Sequence, residues 1–578
     1  MSPGRRLLAL AAIAVAFAAA DTYVVVLALP DMMAGVGLSV EQLQQAAPIV
    51  SAFLLGYVAM LPLIGSIADR RGRLPVLVAG LVVFATGSLL TALAYGLGPM
   101  VIGRFLQGLG GGALVPATLA LVADLYPVER RGVPLGIVSA VQEAGSLLGP
   151  LAGAVVLALA DWRAIFVVNL LVAAALAVAL RASEPRAARV PPRLPDPVGL
   201  LLVLVALAAG VLVFVEPTAM MRDLTWGRLY IPVAGDSRWL TPLGLTTVAA
   251  LALLAIWCAS ARRPLVDLRG WAAGARGVDL PGALLLALAL TGVILAFATA
   301  DPQVQAIAPQ GRWYLLGAAL ALAAFATRQR TATHPLLPRA ALRAPAAWGS
   351  VVVSLLIGAA LVAALIDVPL FARTTIYPDS QLKAALVLVR FLVALPIGAI
   401  AGGWLTRRLP AGMVAAVGLL LAAAGLALMA RWDVDALRHA VATVPLVLAG
   451  LGFGLVLAPV NAAVLATTDA AIHGLASSLV VVARMVGMLV GISALTTLGL
   501  RHYYAAQADL PPMSRVCGGS GLCDAYETLL RRAGIAEEHT VFGWAAVVAV
   551  LGAVLALGLL RGAATRGVDP REALSGLG

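Results

Sequence analysis

Sixteen apolar runs of about 20 residues, separated by short arginine-bearing connections, recur along this chain of 578 residues. Each is long enough to cross the ~30 Å hydrocarbon core of a bilayer as a helix. Lipid supplies no partners for backbone polar groups, so only structures that satisfy those groups internally can span it. Composition agrees: 62% of residues are apolar and 12% are charged, against roughly 45–50% and 25% in soluble domains. A soluble globule of this size cannot hide so much apolar surface. The soluble-enzyme class is excluded, and the fold expected is an all-α polytopic membrane protein.

The runs group as six, four and six. Residues 1–182 hold a six-helix bundle and residues 183–344 a linker with two transmembrane hairpins. Residues 345–562 hold a second six-helix bundle, and a tail follows at 563–578. The net charge is +12, carried almost wholly by arginine, with Lys383 the single lysine. These charges lie in short runs between spans rather than on one face, so nucleic acid is not the partner they suggest. Their bias to one side places both termini in the cytoplasm. Arg5-Arg6 and the apolar stretch to Leu29 are too long for a cleaved leader and read as a retained first helix.

The two groups of six read as repeats of each other. Ala20-Asp21 aligns with Ile366-Asp367, Leu61-Pro62 with Leu395-Pro396, and Gly145 and Gly149 with Gly487 and Gly491. The middle four also read as a duplication, because Asp196-Pro197-Val198-Gly199 and Asp279-Leu280-Pro281-Gly282 each open a Leu/Ala-rich run. Lacking central charges, residues 197–344 are expected to form two peripheral hairpins outside the transport path.

Ionisable groups at membrane depth are functional suspects. Asp21, Glu143 and Asp367 are the central acids, and Arg104, Arg390 and Arg484 the central bases. The balance predicts pairing, with protonation of Asp21 and Glu143 coupled to transport. Five histidines are scattered without metal-ligand spacing, and no phosphate-cradling loop occurs. No metal, no cofactor and no ATP are expected; the proton gradient is the energy source. Apart from a few Ser and Thr, Gln142, Asn169 and Asn461, the bundles present mainly Leu, Val and Ala, which suits a greasy substrate. Cys517 and Cys523 lie in the outer loop 501–540 with five residues between them, and the oxidising side of the membrane predicts a disulfide.

The loop after the second span reads Gly65-Ser66-Ile67-Ala68-Asp69-Arg70-Arg71-Gly72-Arg73. It resembles the signature G-x-x-x-D-R-x-G-R of the major facilitator superfamily. Gly65 permits close helix approach, Asp69 can accept from a helix N-terminus, Gly72 turns the chain, and Arg70 and Arg73 can pair with carboxylates or carbonyl ends. The stretch 398–403 in the second bundle lacks the acid, so the latch is expected on one side only. Arg104 in Gly103-Arg104-Phe105 resembles the family's buried arginine of helix four. Gly145-Ser146-Leu147-Leu148-Gly149-Pro150-Leu151-Ala152-Gly153 resembles its antiporter motif, with Gly145, Gly149 and Gly153 for close packing and Pro150 for a bend.

The stretches around Asp21, Gln142-Glu143, Leu365–Val368 and Val481–Met485 resemble a subgroup of the drug:proton antiporters, the mycobacterial triacylglyceride exporters also described as multidrug efflux pumps. The resemblance implies two six-helix bundles joined by one linker hairpin, fourteen helices in all; this chain departs in the middle, where two hairpins raise the expected total to sixteen. It implies proton-coupled, alternating-access export of a triacylglyceride-like lipid, or proton-driven multidrug efflux as the alternative. It also implies that the last two helices project into the periplasm, where they guide lipid or dock a lipid-binding lipoprotein. A monomer is expected. A non-transporting membrane sensor is the reading from another class. An acyl or glycosyl transferase would need an acid or histidine cluster at a membrane face, and none is visible, so no enzyme is expected.

Overall fold

The computed structural model describes the chain except residues 1–2, 39–42, 184–195, 236, 262–263, 277–278, 299–309, 333–334, 337–342, 378–379, 470–471, 509, 519–522 and 566–578. Most of the expected tail and the start of the linker lie outside the described residues. No strand occurs among those described. The first bundle consists of α1 (Pro3–Gly35), α2 (Leu43–Arg71), α3 (Arg73–Ala92), α4 (Leu97–Leu125), α5 (Gly132–Leu159) and α6 (Arg163–Ala182). Between the bundles run α7 (Pro197–Val215), α8 (Pro242–Ser260), α9 (Leu280–Ala298) and α10 (Gly311–Thr331). The second bundle consists of α11 (Pro345–Thr375), α12 (Gln381–Leu405), α13 (Ala411–Met429), α14 (Thr443–Ala466), α15 (His473–Ala508) and α16 (Asp524–Leu559). Eleven helices among the described residues are long and apolar enough to cross a membrane, or up to twelve if the two parts of bent α2 count as one.

The two bundles repeat one packing plan. In the first, α1 lies on α5, both α2 and α3 on α4, and α3 on α6; in the second, α11 lies on α15, both α12 and α13 on α14, and α13 on α16. The bundles meet along two seams, α2 with α15 and α5 with α12. Glycines set the register, because close crossings need residues without a Cβ. Gly145 and Gly149 sit against the carbonyls of Ala16 and Ala20, as Gly487 and Gly491 sit against those of Leu355 and Ala359. Gly65 abuts Gly474 as Gly403 abuts Gly132.

These crossings correct the sequence alignment of the repeats. They make Ala360, not Asp367, the counterpart of Asp21; Asp367 lies two turns further along. Likewise Gly65 matches Gly403, so the Pro62 and Pro396 alignment is one turn out. Helices rich in Ala, Val and Leu give almost no register signal of their own, and a single shared acid or proline shifts the frame by whole turns.

The face that carries residues 69–73 is called the latch face below, and the opposite one the far face. On the far face α15 and α16 are each 36 residues long, about 54 Å at 1.5 Å per residue, and they outrun the bilayer core. The stretch 501–540 is therefore mostly helix rather than loop, and Cys517 and Cys523 are disulfide-bonded between the two helices.

The linker hairpins share a capping scheme that fits a duplication. Asp196 caps α7 by accepting from Gly199 N at 3.0 Å and ties it to α8 through Trp257 Nε1 at 2.8 Å. Asp279 caps α9 through Gly282 N at 3.1 Å and ties it to α10 through Arg328 Nε at 2.6 Å. Their positions differ. The first hairpin leans on the far-face end of the first bundle, where Phe214 and Arg238 meet the Tyr95 ring. The second is not peripheral: α9 packs on both α2 and α15, across one of the two seams. A short helix, Leu268–Arg276, precedes α9 at the latch face. There Asp267 pairs with Arg71 at 3.0 Å and the Arg71 guanidinium lies over the Trp271 ring.

Candidate functional site

Asp21 and Arg104 meet in the middle of the first bundle. Arg104 Nη1 lies 2.7 Å from Asp21 Oδ2, with both side chains almost fully buried. The α1–α5 crossing fixes Asp21, the residue after Ala20. Asn169 on α6 donates to its other oxygen. Arg104 also donates to Gln107 Oε1 at 2.9 Å and to the Ile49 carbonyl at 3.3 Å, and it lies over the Phe53 ring at 4.6 Å. Gln107 in turn donates to Ser88 Oγ at 2.9 Å. A charge pair out of water is tolerable only when its remaining donors and acceptors are satisfied, and four helices besides α1 supply the partners. A membrane-facing cavity of about 310 Å³, lined by α1, α5 and α6 and including Gly149, Gly153 and Asn169, reaches Asp21.

Glu143 and Arg484 face each other across the bundle interface, α5 to α15, at 3.6 Å. Arg484 borders a central cavity of only about 10 Å³, whose polar lining also includes Ser139, Gln142, Ser354 and Asn461. The acid–base balance read from the sequence is not realised throughout. Arg390 is exposed and donates to Thr443 Oγ1 at 3.0 Å, and Asp367, buried on α11, has no ion-pair partner among the described residues. Residue depth along the chain had grouped them, but helix rotation turns Arg390 outward.

The latch is assembled at the face for which it is named. Gly72 joins α2 to α3 at φ +93°, a conformation glycine adopts without strain. Asp69 accepts from Gly474 N at 2.9 Å and Leu475 N at 3.2 Å, the free donors at the start of α15. Arg73 pairs with Asp69 and with Asp124 on α4, the latter at 3.1 Å. Beside the second seam the bundles are joined by different chemistry, between the start of α5 and the end of α14. Arg131 donates to the Leu465 carbonyl near the end of α14 at 3.2 Å and to the Ala123 carbonyl at 3.0 Å. The carboxylate is thus one-sided, as the missing acid predicted, but the closure is not. Arg70 is exposed. The Pro150 side chain lies outside the described residues.

Replacing Asp69 with asparagine should keep one acceptor, remove the charge on the α15 terminus and loosen the latch. A Ser139→Cys probe, buried at the central cavity, should then label from the latch face several-fold faster than with Asp69 intact. Equal labelling would mean that glycine packing alone holds this face shut.

Sequence reasoning missed Asn169 as the second partner of Asp21, and Asp124, Arg131 and Glu538 altogether. Asn169 carried a signal, as the one amide on an otherwise apolar α6. Arg131 carried none, since its partners are backbone carbonyls.

The comparisons with known proteins follow this geometry. The family model of the Major Facilitator Superfamily matches residues 11–327. A triacylglyceride transporter of Mycolicibacterium smegmatis is 35% identical over 96% of this chain and 88% of its own length. A triacylglyceride transporter of Mycobacterium tuberculosis is 35% identical over 96% of this chain and 95% of its own. Among solved structures, a proton:xylose symporter superposes with a TM-score of 0.52 at 13% identity, over 99% of each chain. A human organic anion transporter does so with 0.52 at 15% identity, over 96% of this chain and 100% of its own. By family model, by long matches to named transporters and by the doubled six-helix plan, the chain belongs to the Major Facilitator Superfamily.

Proposed function

We propose that this transporter is a proton-driven exporter of a triacylglyceride-like lipid, moving it from the inner membrane toward the periplasm by alternating access. The observation that carries the reading is the pairing of two acids at membrane depth with two arginines, one pair inside a bundle and one between bundles. Protonating Glu143 removes the attraction that ties α5 to α15 and frees the bundles to rock. Protonating Asp21 weakens its hold on Arg104 and, through the α1–α5 crossing, changes the helix that borders the same interface. Arg104 and Arg484 serve as counter-charges and not as proton carriers. The named relatives supply the substrate class.

A neutral lipid leaving an equally apolar bilayer gains little from apolar contact, so affinity is weak and direction comes from the proton. With α9 across the α2–α15 seam, lipid enters from the bilayer through the α5–α12 seam. The extension formed by α15 and α16 hands it outward, to a lipid-binding lipoprotein if one docks there. The latch face is the cytoplasmic one and both termini lie on that side.

Reconstitution with fluorescent triacylglyceride, with and without an imposed pH gradient, tests the reading. Lipid should move only with the gradient, and Glu143→Gln should abolish the movement while inserting normally. Gradient-driven movement of a cationic dye, with lipid static in the wild type, would replace lipid export with multidrug efflux.

A further inference from the structure

The acids that the coupling network leaves out lie together in the far-face half of the second bundle. Asp367, on α11, is 3% exposed, and Glu538, on α16, is 1% exposed. Thr374, two turns beyond Asp367 on the same helix, donates to Glu538 Oε1 at 3.4 Å, and Glu538 Oε2 has no hydrogen-bond partner among the described residues. Helices α11 and α16 pack along each other, and half-buried Glu537 precedes Glu538.

Among the described residues the surroundings offer no counter-charge. His539 is bonded to the Trp432 carbonyl. From the other packed elements, Arg373 on α11, Lys383 and Arg390 on α12, Arg501 and His502 on α15, and Arg431, Asp433, Asp435 and Arg438 between α13 and α14 are exposed. None forms an ion pair with Asp367, Glu537 or Glu538 among the described residues. The first bundle solved the same problem differently, with Arg104 beside Asp21. At the level the glycine crossings make equivalent, the second bundle carries Ala360 and Leu446.

Burying a lone carboxylate without a cation is costly, and a second one nearby raises the cost; the neutral acid avoids both. We propose that Asp367 and Glu538 form a proton-binding site in the second bundle, separate from the Asp21 and Glu143 pairs and loaded from the far face past Glu537. Its use in transport rests on the proton-driven reading above; the presence of the proton does not. In this conformation the latch face is closed, so the far face is the side from which a proton reaches the site.

Infrared spectroscopy of the purified protein in nanodiscs tests for the proton directly, with no transport required. At neutral pH the wild type should show buried carboxylic-acid C=O absorption. Asp367→Asn and Glu538→Gln should each reduce it, and the double variant should remove that component. A protein that holds a proton when folded and not when unfolded loses stability as pH rises, so wild-type melting should fall on alkalinisation and the double variant should stay nearly flat. Spectra of the double variant identical to wild type at every pH would overturn the site. So would a sodium-dependent shift without a carboxylic-acid band, which would assign these oxygens to a metal cation. Loss of these bands in the variants together with gradient-independent lipid movement in the wild type would keep the site and refute the transport reading.

Discussion

Arg104→Met should destabilise the first bundle by about 3–5 kcal/mol, the usual consequence of stranding one half of a buried ion pair. Among the described residues, Asp21 would keep the Asn169 amide alone. Asp21→Asn should be milder, because the arginine retains Gln107, the Ile49 carbonyl and the Phe53 face. The double variant should recover much of the loss, since neither charge is then left alone. Thermal melting of the four proteins in one detergent gives the coupling energy of the cycle. Additive losses would mean that the two residues are held independently. In vesicles, Asp21→Asn should still insert yet fail to drive lipid export.

A comparably large effect is expected where helices touch through glycine. Gly149→Ala should sharply lower the yield of folded transporter, because a Cβ there collides with the Ala20 carbonyl and backbone cannot give way as a flexible side chain does. Overpacking of this kind costs about 1–3 kcal/mol even when some relaxation is possible. Gly153→Ala should be better tolerated, with its Cβ 3.3 Å from the Val24 side chain, and Gly98→Ala, with open space around it, should be silent. Yield and melting temperature should follow the order Gly149, Gly153, Gly98. Equal tolerance at all three would show that the α1–α5 crossing is looser than described, and with it the placement of Asp21.

The all-helical membrane fold was legible because run length in a bilayer leaves few alternatives, and the grouping by six was legible from internal likeness. That central acids and bases would pair was legible from their balance, but not which acid would meet which arginine. Asp21 with Arg104 and Glu143 with Arg484 do pair. Arg390 and Asp367 do not, because the rotation of a helix about its axis decides what a side chain faces, and nearly uniform apolar sequences encode that rotation weakly. The same weakness put the repeats out of register by one and two turns until the glycine crossings fixed them. The position of α9 across a seam was illegible for another reason: its sequence is apolar nearly all round, like that of any lipid-facing helix. Arg131 ties the first bundle to α14 through backbone carbonyls, which every residue possesses and no side-chain pattern announces.

The central claim is that lipid and proton move together through Asp21. The direct measurement is proton flux evoked by lipid in sealed proteoliposomes with a pH-sensitive dye inside. Supplying triacylglyceride should start a proton movement in wild-type vesicles, and Asp21→Asn should abolish both the proton and the lipid signal. Lipid transport without any proton signal, or a full proton signal in Asp21→Asn, would contradict the account.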